Sequence, residues 1–270
     1  MRFRPLAFAA VLCAMLIHGC APPPGVYAPL TRDELADLAG SLARPLTSAG
    51  AIRATGTGQT TVSGRTVRFG FALLLSGSSW LRIDFRPELM GFGTGLNALI
   101  LVEDACARAY FPARVTEVRG CFDEIFGFPA LEGAASLVAG FPDSALLASL
   151  EGAAVSRADG TMTLRGALDG TPVALTIEPE LGVVTRIVAG DPDAFDEVTI
   201  EYTGHGWKDD MPCPRTVSVV AREGTTQEAR VRLEYGSFRE AQAIDREQYE
   251  LPVLPGARVL SWSDLFGGRD

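Results

Sequence analysis

Residues 69–75, Phe69-Gly70-Phe71-Ala72-Leu73-Leu74-Leu75, carry a large hydrophobic side chain at every second position. After a Gly-Ser turn, Trp80-Leu81-Arg82-Ile83-Asp84-Phe85 repeats this period with charged residues between the apolar ones. Successive side chains of a β-strand point to opposite faces, so the period predicts two antiparallel strands with one apolar face. That face must be covered by other elements.

The two-residue period returns along most of the chain, in stretches that are separated by turn signals such as Asp169-Gly170. These stretches are residues 55–62, 98–102, 106–112, 115–120, 161–168, 173–178, 183–189, 198–203, 215–221 and 229–237. The sequence therefore predicts an α+β chain that is mainly antiparallel β.

Two segments instead predict helices. Thr31-Arg32-Asp33-Glu34 is a capping box, and apolar residues follow it at helical spacing until Pro45 ends the pattern. Residues 122–150 break the β pattern with many large hydrophobic residues, and Pro129 and Pro142 divide them into two or three short helices. Asp143-Ser144 is the expected N-cap of the last one. Such apolar helices must pack on the sheet.

Charge and motif content exclude several classes of function. The chain has 24 basic and 33 acidic residues, a net charge of −9, which disfavours a nucleic-acid partner. Beyond residue 20, His205 is the only histidine, and it lies in the turn-rich stretch Gly204-His205-Gly206-Trp207. Cys213, near His205 and two aspartates, matches no common zinc spacing. We expect no catalytic residue, no metal and no cofactor, and therefore no enzyme; a hydrolase using His205 is the rival reading.

The first twenty residues resemble a bacterial lipoprotein signal with its lipobox. Arg2 and Arg4 precede an apolar run, residues 6–17, that is too short to span a bilayer, and Gly19 then precedes Cys20. The resemblance implies cleavage before Cys20 and lipid attachment to its thiol and amine. An ordinary secretory signal or a membrane anchor, with Cys20 incidental, is the alternative.

This reading divides the chain into three parts. Residues 1–19 are the signal peptide, and residues 20–30, with Pro22-Pro23-Pro24, are a lipidated, proline-rich tether. Residues 31–270 form a single domain that faces the periplasm. Ala21 is not the aspartate that retains enteric lipoproteins at the inner membrane, so the resemblance favours the outer membrane.

Three cysteines remain beyond Cys20. An oxidising compartment favours a disulfide among Cys106, Cys121 and Cys213. Cys106 and Cys121 flank a short strand–turn–strand stretch and are the favoured pair, while pairs that include Cys213 stay open.

The order of lipobox, proline spacer, capped helix, β-meander, helical block and further strands resembles the LolA/LolB-like superfamily of bacterial lipoprotein carriers and receptors. The motifs that carry the resemblance are residues 80–85, Met90-Gly91-Phe92-Gly93, residues 107–112 and 118–120, and residues 251–259. It implies a strongly curved, incomplete β-barrel of about ten strands, with residues 122–150 as a helical lid over a cavity for lipid acyl chains.

The resemblance also suggests sites. The strand residues expected to line the cavity are Phe69, Phe71, Leu73, Leu81, Ile83 and Phe85, and the lid residues are Phe126, Leu137, Val138, Phe141 and Leu147. The loop residues expected to touch the membrane are Leu89, Met90, Phe92 and Leu96. The sequence leaves two alternatives open: the apolar residues of the sheet and lid form a filled core, or the loop residues fold back into it.

Together these features predict an outer-membrane lipoprotein that is monomeric and anchored through Cys20. It would take lipoprotein or lipid acyl chains, with a soluble periplasmic carrier as a further expected partner, and assist their transfer or insertion. The alternative is an envelope scaffold lipoprotein with a filled core and no lipid cargo.

Overall fold

A computed structural model describes residues 26–62, 64–78, 80–87, 98–103, 106–121, 134–191, 196–208, 211–223, 227–241, 246–248, 250–251 and 255–261. The predicted sites at Cys20, Leu89, Met90, Phe92, Leu96 and Phe126 lie outside the described residues, as does the first part of the predicted lid, residues 122–133.

Strands make up most of the described chain. They are β1 Ala28–Pro29, β2 Ala51–Val62, β3 Arg65–Ser76, β4 Trp80–Pro87, β5 Ala98–Glu103, β6 Cys106–Phe111, β7 Thr116–Cys121, β8 Glu151–Ala158, β9 Thr161–Leu168, β10 Thr171–Glu178, β11 Val183–Asp191, β12 Asp196–Thr203, β13 Gly206–Lys208, β14 Met211–Cys213, β15 Thr216–Glu223, β16 Gln227–Ala241 and β17 Arg258–Ser261. The α-helices of the described residues are α1 Arg32–Ala49, α2 Ala134–Leu137 and α3 Ser144–Ala148, with 3-10 turns at Pro112–Arg114 and Arg246–Gln248.

Fifteen strands form one curled sheet that does not close, in the order β1-β8-β9-β10-β11-β12-β15-β16-β2-β3-β4-β5-β6-β7-β17. All neighbouring strands are antiparallel except β7 and β17, which are parallel. The mainly antiparallel class is confirmed, but the sheet has fifteen strands where about ten were expected. Three of the additional strands, β1, β8 and β17, show no hydrophobic alternation in the sequence. Strands β1 and β17 are too short to show a period, and β8 has the small residues Gly152 and Ala153 after its first residue.

Alternation along the strands places the core on one face of the sheet. On β3, Phe69, Phe71, Leu73 and Leu75 are buried, and the residues between them are more exposed. Their partners on both neighbouring strands, such as Ala54 on β2 and Ile83 on β4 beside Leu73, share that face. One continuous hydrophobic cluster joins this inner face to all three helices.

Helix α1 begins as the sequence predicts and ends later. Thr31 caps it, since its hydroxyl oxygen accepts from the Glu34 N–H at 3.3 Å while Glu34 accepts from the Thr31 N–H at 2.8 Å. The prediction that Pro45 ends the helix is wrong, because α1 continues to Ala49. Proline in a helix interior costs about 3 kcal/mol, and the burial of Leu46 in the core offsets that cost.

The last part of the predicted tether lies on the sheet. Ala28 and Pro29 pair with β8, and the Leu30 N–H donates to the Ala153 carbonyl at 2.9 Å. The Tyr27 ring packs on the Arg165 guanidinium, whose central carbon lies 4.5 Å from the ring centroid. The chain therefore enters the domain along one edge of the sheet.

Candidate ligand-binding site

Residues 134–150, which include α2 and α3, form a segment that we call the helical cover. It contacts β4 through α2 and covers the inner face of β9, β10 and β11. An apolar pocket of about 30 Å³ lies between the cover and these strands. Its lining is entirely hydrophobic: Leu137, Pro142, Leu146, Leu147 and Leu150 from the cover, and Leu168, Val173, Leu175, Ile187 and Ala189 from the sheet. No carboxylate, hydroxyl or amine lines it, so it suits a hydrocarbon and offers no group for covalent chemistry.

The residues that the sequence singles out as cavity walls lie in one cluster. Ten of them are at least partly buried there: Phe69, Phe71, Leu73, Leu81, Ile83 and Phe85 on the strands, and Leu137, Val138, Phe141 and Leu147 on the cover. Only Leu137 and Leu147 among them line the pocket. The aromatic residues of β3 and β4 pack against each other instead, with the Phe69 and Phe85 ring centroids 5.0 Å apart.

Glycines of β2 explain why the β3 end is filled. A Cβ built on Gly56 would overlap the Phe71 ring, and one built on Gly58 would overlap the Phe69 ring. The two phenylalanine rings therefore occupy the space where side chains of β2 would otherwise project. The apolar pocket lies elsewhere on this face, over β9–β11.

Two buried tyrosines hold the helical cover in place, and sequence reasoning missed both. The Tyr202 hydroxyl on β12 donates to the Leu137 carbonyl at 2.7 Å, and the Tyr235 hydroxyl on β16 donates to the Val138 carbonyl at 2.7 Å. Burial raises the pKa of both phenols above their ordinary range, so they stay protonated as donors. The sequence feature that could have identified them is a tyrosine at an inner-face position of a predicted strand, because the hydroxyl of a buried tyrosine needs a hydrogen-bond acceptor.

The cover has its own local stabilisation. Asp143 caps α3, as the sequence predicts, by accepting from the Ala145 N–H at 2.7 Å and the Leu146 N–H at 3.1 Å. Helix α1 packs against α3 from the other side. The cover is thus a preformed unit that is held between α1 and the sheet.

The cysteines and the histidine lie away from the pocket. Cys106 and Cys121 are direct partners in the β6–β7 pair and form a disulfide, while Cys213 is a buried thiol that donates to the Met211 carbonyl at 3.4 Å. His205 is half-buried in the turn after β12, where burial lowers its pKa and the charge of Glu178 opposes that shift. Among the described residues, no group of three potential metal ligands is present. None of the helices that the structure describes is both long and apolar enough to cross a bilayer.

No protein-family model and no curated protein sequence matches the chain. Solved structures do match it. A DUF1329 family protein from Desulfovibrio piger aligns with a TM-score of 0.56 and 10% identity, covering 81% of this chain and 96% of that one. A domain described as an outer membrane lipoprotein-sorting protein, from Vibrio parahaemolyticus, aligns with a TM-score of 0.53 and 11% identity, covering 81% and 97%.

A third structure, the LolA superfamily protein NE2245 from Nitrosomonas europaea, aligns with a TM-score of 0.48 and 9% identity, covering 82% of this chain and 98% of that one. Identities this low relate the proteins by fold. The resemblance found in the sequence is confirmed at that level: the chain has a LolA/LolB-like fold.

Proposed function

We propose that this protein is a lipid-anchored protein of the bacterial outer membrane, facing the periplasm, that binds acyl chains of a lipid or lipoprotein between the helical cover and the sheet. The observation that carries the proposal is the wholly apolar pocket where the cover meets β9–β11. The shared fold with a domain described as lipoprotein-sorting supports the same class of cargo. Binding would be non-covalent, and the protein would not act as an enzyme.

The small pocket indicates that the structure is a closed state, in which the cover lies against the sheet. Ligand sites are typically about 300–1,000 Å³, whereas this pocket holds about 30 Å³. An acyl chain therefore enters only if the cover moves away from the sheet. That movement breaks the hydrogen bonds from Tyr202 and Tyr235, which stabilise the closed state by about 1 kcal/mol each. Transfer of a sixteen-carbon chain from water is favourable by on the order of 10 kcal/mol, which exceeds this cost.

The attachment point would keep this end of the sheet close to the membrane. Six residue steps separate Cys20 from Val26, and an extended chain spans at most about 3.6 Å per residue, so Val26 would stay within about 22 Å of the lipidated Cys20. Strand β1 follows directly, and β9 is two strands away from it. An acyl chain leaving the pocket would thus have a short path to the bilayer, and relative affinity would set the direction of transfer.

Titration of the delipidated full chain with a fluorescent fatty acid tests the binding step. Ala189→Leu adds bulk to the pocket lining and should weaken binding. Ala221→Leu makes the same change on the same cross-strand row, two strands from Ala189 and outside the pocket, and should leave binding unchanged. The absence of saturable binding to the wild-type chain, or equal loss in both variants, would favour the second candidate, a scaffold lipoprotein with a filled core.

That second candidate rests on the close packing of the inner-face residues on β3 and β4. It predicts normal membrane attachment without fatty-acid binding, so the anchor needs a separate test. Metabolic labelling with an alkyne palmitate, followed by membrane fractionation, should show label and membrane association in Cys13→Ala. Both should be lost in Cys20→Ala, and a Cys20→Ala chain that keeps its label would refute the anchor at this residue.

A further inference from the structure

A recess lies on the outer face of the sheet, opposite the helical cover. It has a volume of about 470 Å³ and spans β16, β2, β3 and β4, with the turn at residues 246–248 along one side. This volume falls within the range of about 300–1,000 Å³ that small-molecule sites occupy. It is separate from the apolar pocket and shares no lining residue with it.

Positive charge dominates the lining. Three arginines, Arg53, Arg82 and Arg239, face one carboxylate, Asp84. Arg82 is already engaged, since its Nε donates to Asp84 at 2.9 Å and its Nη1 donates to the backbone carbonyls of residues 248 and 250 at 2.9 and 3.1 Å. Arg82 and Asp84 therefore neutralise each other and fix the wall of the recess.

The other two arginines keep their charge available. Arg53 and Arg239 are direct cross-strand partners on β2 and β16. Arg53 donates to the neutral Gln248 side chain at 2.9 Å, and no ion pair of either arginine occurs among the described residues. Like charges directly opposite each other destabilise a sheet. This arrangement, in a chain with a net charge of −9, is explained by an anion that both guanidinium groups share.

Two further features describe the rest of the ligand. The hydroxyls of Thr55 and Ser237, 2.6 Å apart, belong to the next cross-strand pair on the same face, two rows from the arginine pair, and can donate to an oxygen. Leu74, the cross-strand neighbour of Arg53, and Ala72 form an apolar floor toward β3. The recess thus offers charged donors on β16 and β2 and carbon contact on β3, with the Arg82–Asp84 ion pair on β4 beyond it.

We propose that this recess binds a phosphomonoester, with Arg53 and Arg239 holding the phosphate and the floor contacting the attached carbon group. A phosphomonoester carries close to two negative charges at neutral pH, which matches the two guanidinium groups that form no ion pair with the residues the structure describes. Guanidinium is suited to phosphate because its planar fork donates two parallel hydrogen bonds. The phosphate can belong to a soluble metabolite or to a lipid headgroup.

Calorimetric titration of the full chain with glycerol 3-phosphate tests the soluble source, with glycerol as the uncharged control. Flotation of the delipidated full chain with phosphatidylcholine vesicles that contain phosphatidate, against pure phosphatidylcholine, tests the headgroup source. Arg53→Gln and Arg239→Gln should each weaken binding about tenfold, the factor that a hydrogen bond to a charged group contributes. Arg68→Gln is the matched control, since Arg68 lies on β3 on the same face but outside the recess.

Saturable binding of glycerol 3-phosphate that is lost in Arg53→Gln and Arg239→Gln and kept in Arg68→Gln supports a soluble phosphomonoester. Binding confined to phosphatidate vesicles, with the same response of the three variants, supports a lipid headgroup. Absence of binding to both probes, or an equal loss in Arg68→Gln, overturns the proposal, because net charge alone would then account for any attraction. Thermal unfolding of each variant checks that these exposed substitutions leave the fold intact.

Discussion

Removal of the two phenolic hydroxyls that hold the helical cover should weaken the fold and strengthen fatty-acid binding. Tyr202→Phe and Tyr235→Phe keep both rings, including the edge-to-face contacts of Tyr235 with Phe71 and Phe238 at centroid distances of 5.4 and 5.5 Å. Each change removes a 2.7 Å hydrogen bond to a carbonyl of the cover. The loss is about 1 kcal/mol per bond, so the double variant destabilises the closed state by roughly 2 kcal/mol.

The opposite effect on binding follows from the need to open. If the acyl-bound state already lacks both hydrogen bonds, the loss falls on the closed state alone, and opening becomes easier by the same roughly 2 kcal/mol. This amount corresponds to about a thirtyfold rise in the open fraction and hence in apparent affinity. The unfolding midpoint should fall by about 4–8 °C, since 1 kcal/mol shifts it by about 2–4 °C in a domain of this size.

Fatty-acid titration and thermal unfolding of the same double variant measure both effects. Tyr110→Phe is the control: Tyr110 is a buried tyrosine in a separate cluster, and its hydroxyl has no hydrogen-bond partner in the described part of the chain. That substitution should leave affinity unchanged and should not lower the midpoint. An affinity that stays constant or falls in the double variant, alongside the lower midpoint, would refute the idea that the cover must open.

Three other predictions concern stability, measured as the free energy of unfolding in denaturant. Gly56→Ala should lower the free energy of unfolding by about 2 kcal/mol or more, since the added Cβ would overlap a backbone carbonyl oxygen of β16. Gly40→Ala in α1, where the added Cβ meets open space, should instead raise it by about 0.5–1 kcal/mol. Loss of the Cys106–Cys121 disulfide through paired alanine substitutions should cost about 3 kcal/mol, and a reductant should then have no further effect. The Glu117 pKa is lowered mainly by the side-chain hydrogen bond from Arg119. The ionised Glu117 carboxylate therefore stabilises the fold above the ordinary pKa of 4.5, and this stabilisation is lost as pH falls through the lowered pKa. Glu117→Gln should reduce the difference between neutral and acidic stability, and an unchanged difference would contradict this assignment.

The sequence was sufficient to predict which face of each long strand is buried. Phe69, Phe71 and Leu73 occupy alternate positions of β3 and so define its inner face, and pairing with β2 and β4 extends that face across the sheet. Local chemistry also predicted the Thr31 and Asp143 caps. These features depend on residues within a few positions of each other, which is the range that a sequence pattern expresses.

Features that depend on distant contacts were not readable. Continuation of α1 through Pro45 depends on burial of Leu46 in a core that the whole sheet builds. The hydrogen bond from Tyr202 to Leu137 joins residues 65 positions apart. Strand β17 exists because β7 offers a free edge, and its four residues carry no alternation of their own.

Whether apolar residues make a core or a cavity depends on volume, and hydrophobic pattern does not fix volume. At the β3 end of the sheet, two glycines on β2 let aromatic rings lie against the backbone, and this end is filled. At the β10 end, Val173 and Leu175 meet leucines of the cover, and about 30 Å³ stays open. The helical cover also reaches the filled part of this face, since α2 contacts β4 and the Phe141 ring lies 6.4 Å from that of Phe238 on β16. The helices can move without unfolding a strand, so we expect acyl binding to begin where the cover already leaves space, over β9–β11.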